Sequence, residues 1–548
     1  MPKIFFKKNL TLILILLIAF FFLFYKLNNT YFWEDEADTA IYSLNIQNNF
    51  LPSGWNGINL YAYRNGLHLN SEMNNRTSPW LQFYITALAF KTIGKTVFAG
   101  RLPFAVIGFI VVILFYRYAF QYSYKKNTAA IASLYLIFSP SFLMFTRQCR
   151  YYSLVILFSI LIISQYSNIS IRNRKSIYYF SLICICFFYS NYFIFFAFFS
   201  ALLFTHILLE YNKEKFIGII AGFLLSAIFW LPFIFFSKPW KSVDIPLFSI
   251  QRLDNAAHLL WWYLRDYNAF SFFQVFFILF LAFVFIEKTS NKNFRFKIDR
   301  KALFIITFIL FSTLFLSIIS PQPYKETDIA DIRYAVGLLP FFCLLLGYIS
   351  NKILELNKII GFIIIAVALF TNFFTLIPAY KTEKIKFYFY DYAYELFHKN
   401  ITPSETVINY LQNNSKQNDT ILVRPDNCIA PLLFHFNNKL LFCGVLPEDN
   451  KHILPHNKKK IPDYIYSRNI APDWIITFGM YPYIGEFRKY FDFINANKIN
   501  YSVIAMDVFC MDVSRPELLW HSFYPVKNFP PQYKIYIFKK RAVNNLTL

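Results

Sequence analysis

The chain has 548 residues, of which 57% are hydrophobic, 21% aromatic and 16% charged, with a mean hydropathy of +0.39. That is too apolar for a soluble multidomain protein of this length and identifies an integral membrane protein. The net charge of +23 raises nucleic acid as a partner, but in such a chain Lys and Arg are first accounted for at the joints between apolar spans, where they set orientation. The 14 glycines are about a third of the usual share of ~7%, and neither of the common nucleotide motifs occurs. Gly94-Lys95-Thr96 looks like the end of a P-loop, yet the upstream glycine it needs is Ala89.

In chain order, residues 1–8 are basic and 10–24 form an uninterrupted apolar run, which reads as a helix entering the bilayer from the cytoplasm. The run ends in bulky aromatics and Tyr25-Lys26 without a small-residue cleavage site, which argues against a removed signal peptide. A long outer loop follows at 28–98. Its last part, 79–97, is interrupted by Lys91 and Lys95 and reads as an amphipathic helix on the outer interface. Further spans are predicted at 99–119, 128–145, 152–171, 177–191, 192–209, 216–236, 270–286, 302–320, 334–349 and 359–376, about eleven with the first.

Parity fixes the orientation. With 79–97 outside the bilayer, the joints carrying Lys125/Lys126, Arg172/Arg174/Lys175, Lys213/Lys215, the basic stretch 288–301 and Lys352/Lys358 all fall on the cytoplasmic side. The N-terminus is then cytoplasmic and the C-terminal part extracytoplasmic. Gly218-x-x-x-Gly222 permits close helix contact, with packing inside the subunit favoured over dimerisation.

The pattern turns polar near Pro378, dividing the chain into a transmembrane domain, 1–378, and an extracytoplasmic α/β domain, 379–548. Thr402-Pro403-Ser404-Glu405 is a capping-box helix start with Pro at the first helical position. Strands are predicted at 420–423, 440–445, 474–478, 501–506 and 533–538, with a helix near 486–495. Of the seven cysteines, Cys428, Cys443 and Cys510 fall in this domain. Cys428 and Cys443 are candidates for a disulfide, although an odd count is a poor framework signature. No zinc-ligand spacing is present.

The chemistry-bearing stretch is Trp33-Glu34-Asp35-Glu36-Ala37-Asp38, four carboxylates in six residues ahead of an apolar-periodic run through Ile41, Leu44 and Ile46. Such crowding either marks an acidic helix start favoured by the dipole or raises affinity for a proton or cation. On the same membrane face lie Arg76, then Arg147-Gln148-Cys149-Arg150-Tyr151-Tyr152, and then Arg333-Tyr334. One such Arg alone is accounted for by snorkelling to headgroups. Together they describe a carboxylate base facing an Arg-lined anion site at the lipid boundary, as transfer from a lipid phosphate to a hydroxyl requires. His258 lies in an outer segment with Trp261, Trp262 and Tyr263, where contact with substrate competes with interfacial anchoring.

The order Asp35-Glu36-Ala37, an Arg-x-x-Pro element at Arg76, Phe98-Ala99-Gly100-Arg101-Leu102-Pro103, Arg147-x-x-Arg150-x-Tyr152 and Arg333-Tyr334 resembles glycosyltransferase family 39. That family of GT-C type membrane enzymes includes protein O-mannosyltransferases and lipid A aminoarabinose transferases. The resemblance implies a polytopic α-helical fold in a bacterial cytoplasmic (inner) membrane and a polyprenyl-phosphate-linked sugar donor. The acceptor would be a lipid, a protein or a polysaccharide, and nucleic acid is not an expected partner. It further implies Asp35 as general base, Glu36 shaping its charge or joining a cation site, and Arg76, Arg150, Tyr152, Arg333 and Tyr334 around the donor phosphate. Glu72 is a second acidic candidate, and Arg147 a positioning residue. A divalent metal is left open. The competing class is a transporter or lipid flippase, against which stand spans nearly free of acids and the lack of an evident repeat.

Overall fold

A computed structural model describes residues 2–123, 125–238, 249–266, 286–288, 294–296, 299–320, 332–370, 388–398, 401–478, 492, 494–496, 499–509 and 532–541. The span expected at 270–286, most of the helix expected near 486–495, and Cys510 lie outside them.

Twelve of the helices in the membrane-associated part are named in chain order: α1 (Pro2–Phe24), α2 (Glu34–Asn49), α3 (Leu81–Ile93), α4 (Val97–Ser123), α5 (Lys126–Ile137), α6 (Pro140–Thr146), α7 (Tyr152–Tyr166), α8 (Arg174–Ser190), α9 (Tyr192–Leu209), α10 (Lys213–Ser237), α11 (Ile250–Asp266) and α12 (Arg300–Ile319). A short hairpin, β1 (Ile286–Lys288) with β2 (Phe294–Phe296), precedes α12; α13 (Leu339–Leu356), α14 (Lys358–Phe370) and α15 (Tyr388–Phe397) follow it. Among the described residues, five helices are by themselves long and apolar enough to cross a membrane: α4, α9, α10, α12 and the run Arg333–Leu356. The expected span 128–145 is not one straight helix. It breaks into α5 and α6, bent by 65°, because Pro140 cannot donate to the helix ladder and biases Ser139 to an extended conformation. Ser139 then caps α6 by accepting from Phe142 N.

The joints start their helices with polar caps. Asn173, Asn191, Asn212 and Asp299 each accept a backbone N–H from the first turn of α8, α9, α10 and α12, satisfying donors that would otherwise face a low-dielectric boundary. Apolar side chains such as Leu17 and Phe20 on α1, Ile228 and Phe235 on α10, and Phe362 on α14 point outward, which suits hydrocarbon rather than water. Inside, glycines set the closest approaches. A Cβ on Gly222 would lie 2.8 Å from Phe180 of α8, so the Gly-x-x-x-Gly face packs within the subunit. A Cβ on Gly347 would lie 2.6 Å from the Cβ of Ala132 on α5.

The C-terminal part carries α16 (Pro403–Asn414), β3 (Thr420–Arg424), α17 (Ile429–Phe436), β4 (Leu441–Phe442), β5 (Trp474–Phe478), β6 (Tyr501–Phe509) and β7 (Gln532–Lys540). Thr402 caps α16 by accepting from Glu405 N at 3.1 Å, as its sequence predicts. The five strands form one sheet in the order β4-β3-β5-β7-β6, with β3 parallel to β4 and β5, and β7 antiparallel to β5 and β6. Alternation along the strands gives the sheet two faces. Ile421, Val423, Ile476 and Ile537 share one core with Leu60, Tyr61 and Leu69 of the outer loop, while Leu422 and Ile475 pack with Cys443 and Ile494 on the other face. The candidate disulfide is not formed: Cys428 and Cys443 are separate buried thiols.

Candidate active site

The site is organised by the first turn of α2. Successive residues on a helix are rotated by about 100°, so Glu34, Asp35 and Asp38 share a face while Glu36 points away from it. The structure uses the two faces differently. Glu36 is fully buried; it accepts from Arg101 Nε at 2.8 Å and Nη2 at 2.6 Å, and from Cys149 N at 2.7 Å. The same guanidinium donates to the carbonyls of Leu27, Thr30 and Tyr31. Glu36 thus fastens α2 to α4 and to the turn before α7 through a buried bidentate pair, and it is not among the residues lining the cavity described next.

On the other face, Glu34, Asp35 and Asp38 open onto a cavity of about 480 Å³. Arg333 Nη1 lies 2.6 Å from Asp35 Oδ2, and Arg150 Nη2 lies 3.3 Å from that same oxygen. Arg150 Nη1 also donates to Asp38 Oδ2 at 3.0 Å and to Thr39 Oγ1 at 3.1 Å. Arg150 is held here in part through its neighbour Tyr151, whose N–H donates to Gln82 of α3 at 3.1 Å. Tyr334 and Tyr192 line the cavity on the membrane side, and Tyr61, Tyr63 and Arg64 line it on the loop side.

Asn427, from the start of the short turn between β3 and α17, completes the rim. Its Nδ2 donates to Glu34 Oε2 at 2.5 Å, and the Cys428 thiol donates to Glu34 Oε1 at 3.5 Å. Burial, reinforced by the Asp35 charge, raises the Glu34 carboxyl to about 7 against the pull of Asn427. Burial also raises Asp38 to about 6, opposed by Arg150. His68, buried among Tyr42, Tyr61 and Tyr63, is pushed down to about 4 by burial and is therefore neutral at pH 7. Its Nδ1 lies 2.6 Å from the Tyr63 carbonyl, which in a neutral ring makes Nδ1 the donor and Nε2 an acceptor.

Of the residues expected from sequence, Asp35, Arg150, Arg333 and Tyr334 are brought together. The others are placed elsewhere. Arg76 Nε and Nη2 both donate to the Leu67 carbonyl, at 3.0 and 2.7 Å, bracing the outer loop instead of facing the cavity. Tyr152 is buried beneath Arg150 against Phe145 and Tyr151. Arg147 donates to the carbonyls of Phe22, Tyr25 and Lys26, closing the end of α1. Glu72 is exposed on the outer loop, and His258 pairs with Asp254 at 3.7 Å on α11. Glu34, Asp38, Tyr61, His68 and Asn427 belong to the cavity and were not assigned to it from sequence. For Glu34 and Asp38 the helical spacing carries the signal, whereas for Asn427 no local pattern does. Among the described residues no group of three or more His, Cys, Asp or Glu side chains is disposed to hold a metal ion, and the carboxylates of Asp35 and Asp38 are faced by guanidiniums.

Fold and site together describe a mostly helical, multi-pass membrane protein with an acid–arginine cavity at one end of its helices. Solved structures that share the fold include two of ArnT from Cupriavidus metallidurans. The crystal structure bound to undecaprenyl phosphate matches with TM-score 0.56 at 11% identity, over 97% of this chain and 98% of that one. The apo structure matches with TM-score 0.53 at 12% identity, over 96% and 97%. No protein-family model and no curated protein matches the chain.

Proposed function

We propose that the chain is a membrane glycosyltransferase that moves a sugar from a polyprenyl-phosphate-linked donor to an acceptor hydroxyl at the extracytoplasmic face of a bacterial cytoplasmic membrane. The carrying observation is the placement of Asp35 in the cavity between Arg333 and Arg150. The fold shared with an ArnT bound to undecaprenyl phosphate supports the same donor class.

In this reading the acceptor hydroxyl gives its proton to Asp35 as its oxygen attacks the anomeric carbon. The bond from that carbon to the phosphate oxygen breaks, and the electron pair leaves with the lipid phosphate, whose charge Arg150 and Arg333 stabilise. A single displacement inverts the anomeric centre. The leaving phosphate needs cations more than a proton donor, so a second carboxylate acting as acid is not required. Before the donor arrives, the two guanidiniums are shared with Asp35 and Asp38; a phosphate competing for them leaves Asp35 less neutralised and more basic.

The test is consumption of a radiolabelled polyprenyl-phosphate sugar by purified protein in liposomes supplied with lipid, protein or polysaccharide acceptors. Transfer is expected, with Asp35→Asn abolishing turnover while leaving donor binding largely intact. Donor crossing the bilayer unconsumed would instead establish the flippase class, and full activity of Asp35→Asn would remove Asp35 from the mechanism.

A further inference from the structure

Opposite the membrane-side tyrosines, the cavity is bounded by the outer-loop turn 63–67, which holds an uncommon backbone shape. Arg64, Asn65 and Gly66 follow one another in the left-handed region, with φ of 48, 56 and 81°, a conformation that strains any residue carrying a Cβ. Five successive carbonyls fix it. That of Tyr63 accepts from His68 Nδ1 at 2.6 Å, that of Arg64 from Leu67 N at 3.2 Å, that of Asn65 from Asn450 Nδ2 at 2.9 Å, that of Gly66 from Leu69 N at 3.0 Å and that of Leu67 from Arg76 Nε at 3.0 Å. A Cβ on Gly66 would lie 2.5 Å from Ile453, so the C-terminal region also packs directly against the turn. Both regions thus hold a strained turn in place, and the side chains it gives to the cavity lining are Tyr63, Arg64 and Leu67.

Tyr63 is half-buried, with the Arg64 guanidinium over its ring at 5.5 Å. The turn packs against Asp426–Cys428, which carries Asn427. Asn427 gives its Nδ2 to Glu34, and among the described residues nothing engages its amide oxygen. Thr77 and Ser78 line the same cavity; their backbone N–H groups donate to Asn75 Oδ1, and their hydroxyls are likewise unengaged among the described residues. Arg64 and Leu67 are exposed, so this is the side on which the cavity opens to water.

We infer that this wall is the acceptor subsite and that the acceptor is a saccharide, its ring lying on Tyr63 and its hydroxyls meeting Asn427, Thr77 and Ser78; the inference rests on the glycosyl-transfer reading above. A pyranose has an apolar face of C–H groups bounded by hydroxyls, and an aromatic ring flanked by unengaged hydrogen-bonding groups matches both parts. A serine or threonine side chain offers no such face, and an acyl chain offers no such hydroxyls. The donor phosphate is assigned to Arg150 and Arg333, which leaves the water-open side for the acceptor. The new bond then joins two sugars: the acceptor oxygen bonds the anomeric carbon, its proton passes to Asp35, and the electron pair of the broken bond leaves with the lipid phosphate.

The test is saturation-transfer difference NMR on the full-length protein in nanodiscs, with a panel of methyl hexosides and methyl N-acetylhexosaminides and with N-acetylserine amide as the control. Saturation is expected on the ring C–H protons of at least one glycoside and not on the serine derivative. Tyr63→Ala should weaken that binding about ten-fold and Tyr63→Phe should retain it, with the melting temperature confirming that both variants fold. In liposomes the bound glycoside should receive label from the polyprenyl-phosphate sugar, and Tyr63→Ala should act chiefly on the glycoside KM and little on kcat. Absence of glycoside binding, equal binding by Tyr63→Ala, or label passed in preference to a serine peptide would overturn the saccharide assignment while leaving transfer in place. A glycoside bound through Tyr63 with no donor consumed would overturn the glycosyl-transfer reading, and the acceptor role with it, leaving only a saccharide site.

Discussion

Glu36 and Asp35 are neighbours in sequence and opposites in use, one neutralised in a closed pair and the other exposed to a cavity. Removing Arg101 would strand the Glu36 charge in the protein interior together with the carbonyls that the guanidinium now serves. Breaking a buried pair from one side costs about 3–5 kcal/mol. Arg101→Ala should therefore sharply lower the melting temperature and folded yield, and Glu36→Met/Arg101→Met should recover part of the loss. An Arg101→Ala protein that melts like the parent would refute the anchoring role. Glu34 and Asp38 make a second, pH-dependent prediction. Both carboxyls are raised in the folded state, to about 7 and about 6, so the fold binds their protons more tightly than the unfolded chain does. Their stabilisation is complete below the ordinary carboxylate range and is lost as the pH rises through 6 and 7. Thermal unfolding followed from pH 5 to 8 should show a falling midpoint, flattened at its upper end by Glu34→Gln; an unchanged slope in that variant would exclude Glu34 as the source. The acidic cluster was legible in the sequence because it is local. The pair between Glu36 and Arg101 was not, because its partners are 65 residues apart and no periodicity links them.

Helices were read from sequence with the accuracy that hydrophobic runs allow. The capping box at Thr402 and the five strand segments fell where propensity and alternation put them, since those signals are short-range. The run 128–145 reads as one span because apolarity alone does not register a bend; Pro140 is the local sign of the 65° turn there. Close approach between helices was legible only at Gly218 and Gly222, which advertise a spacing. Gly347 stands alone in sequence, yet a Cβ there would sit 2.6 Å from Ala132 Cβ and 2.7 Å from its backbone nitrogen. Backbone cannot yield as a side-chain end can, so Gly347→Val must part α13 from α5. Overpacking of this kind costs typically 1–3 kcal/mol, and loss of monodisperse protein on size-exclusion chromatography is the expected outcome. Normal yield and melting temperature would mean that the two helices can slide apart freely.

At the scale of the whole molecule, the outer loop is the part that makes one object of two chemically different regions. Its polar side chains are spent on the C-terminal region's backbone: Asn59 Nδ2 donates to the carbonyls of Asn437 and Leu440, both at 2.9 Å, and its Oδ1 accepts from Phe442 N at 2.8 Å. His452 reaches the Leu69 carbonyl and Asn457 the Ser71 carbonyl. None of this could be read from an asparagine in a loop, whose partners lie almost 400 residues away. The same docking sets Asn427 over Glu34, so the cavity's rim depends on how firmly the two regions stay together. Asn59→Leu fills similar space while leaving three backbone groups without this partner, two of them buried, and each buried group costs about 1–3 kcal/mol. The sheet's own core, built on Ile421, Ile476 and Ile537, does not involve this side chain's bonds, so the C-terminal region should stay folded while the loop loosens. Limited proteolysis should then cut within residues 50–76 much faster than in the parent. Donor consumption should fall several-fold, chiefly through a higher apparent KM. Unaltered protection of that loop in Asn59→Leu would mean that the apolar contacts of Leu60, Tyr61 and Leu69 hold the two regions together without the amide.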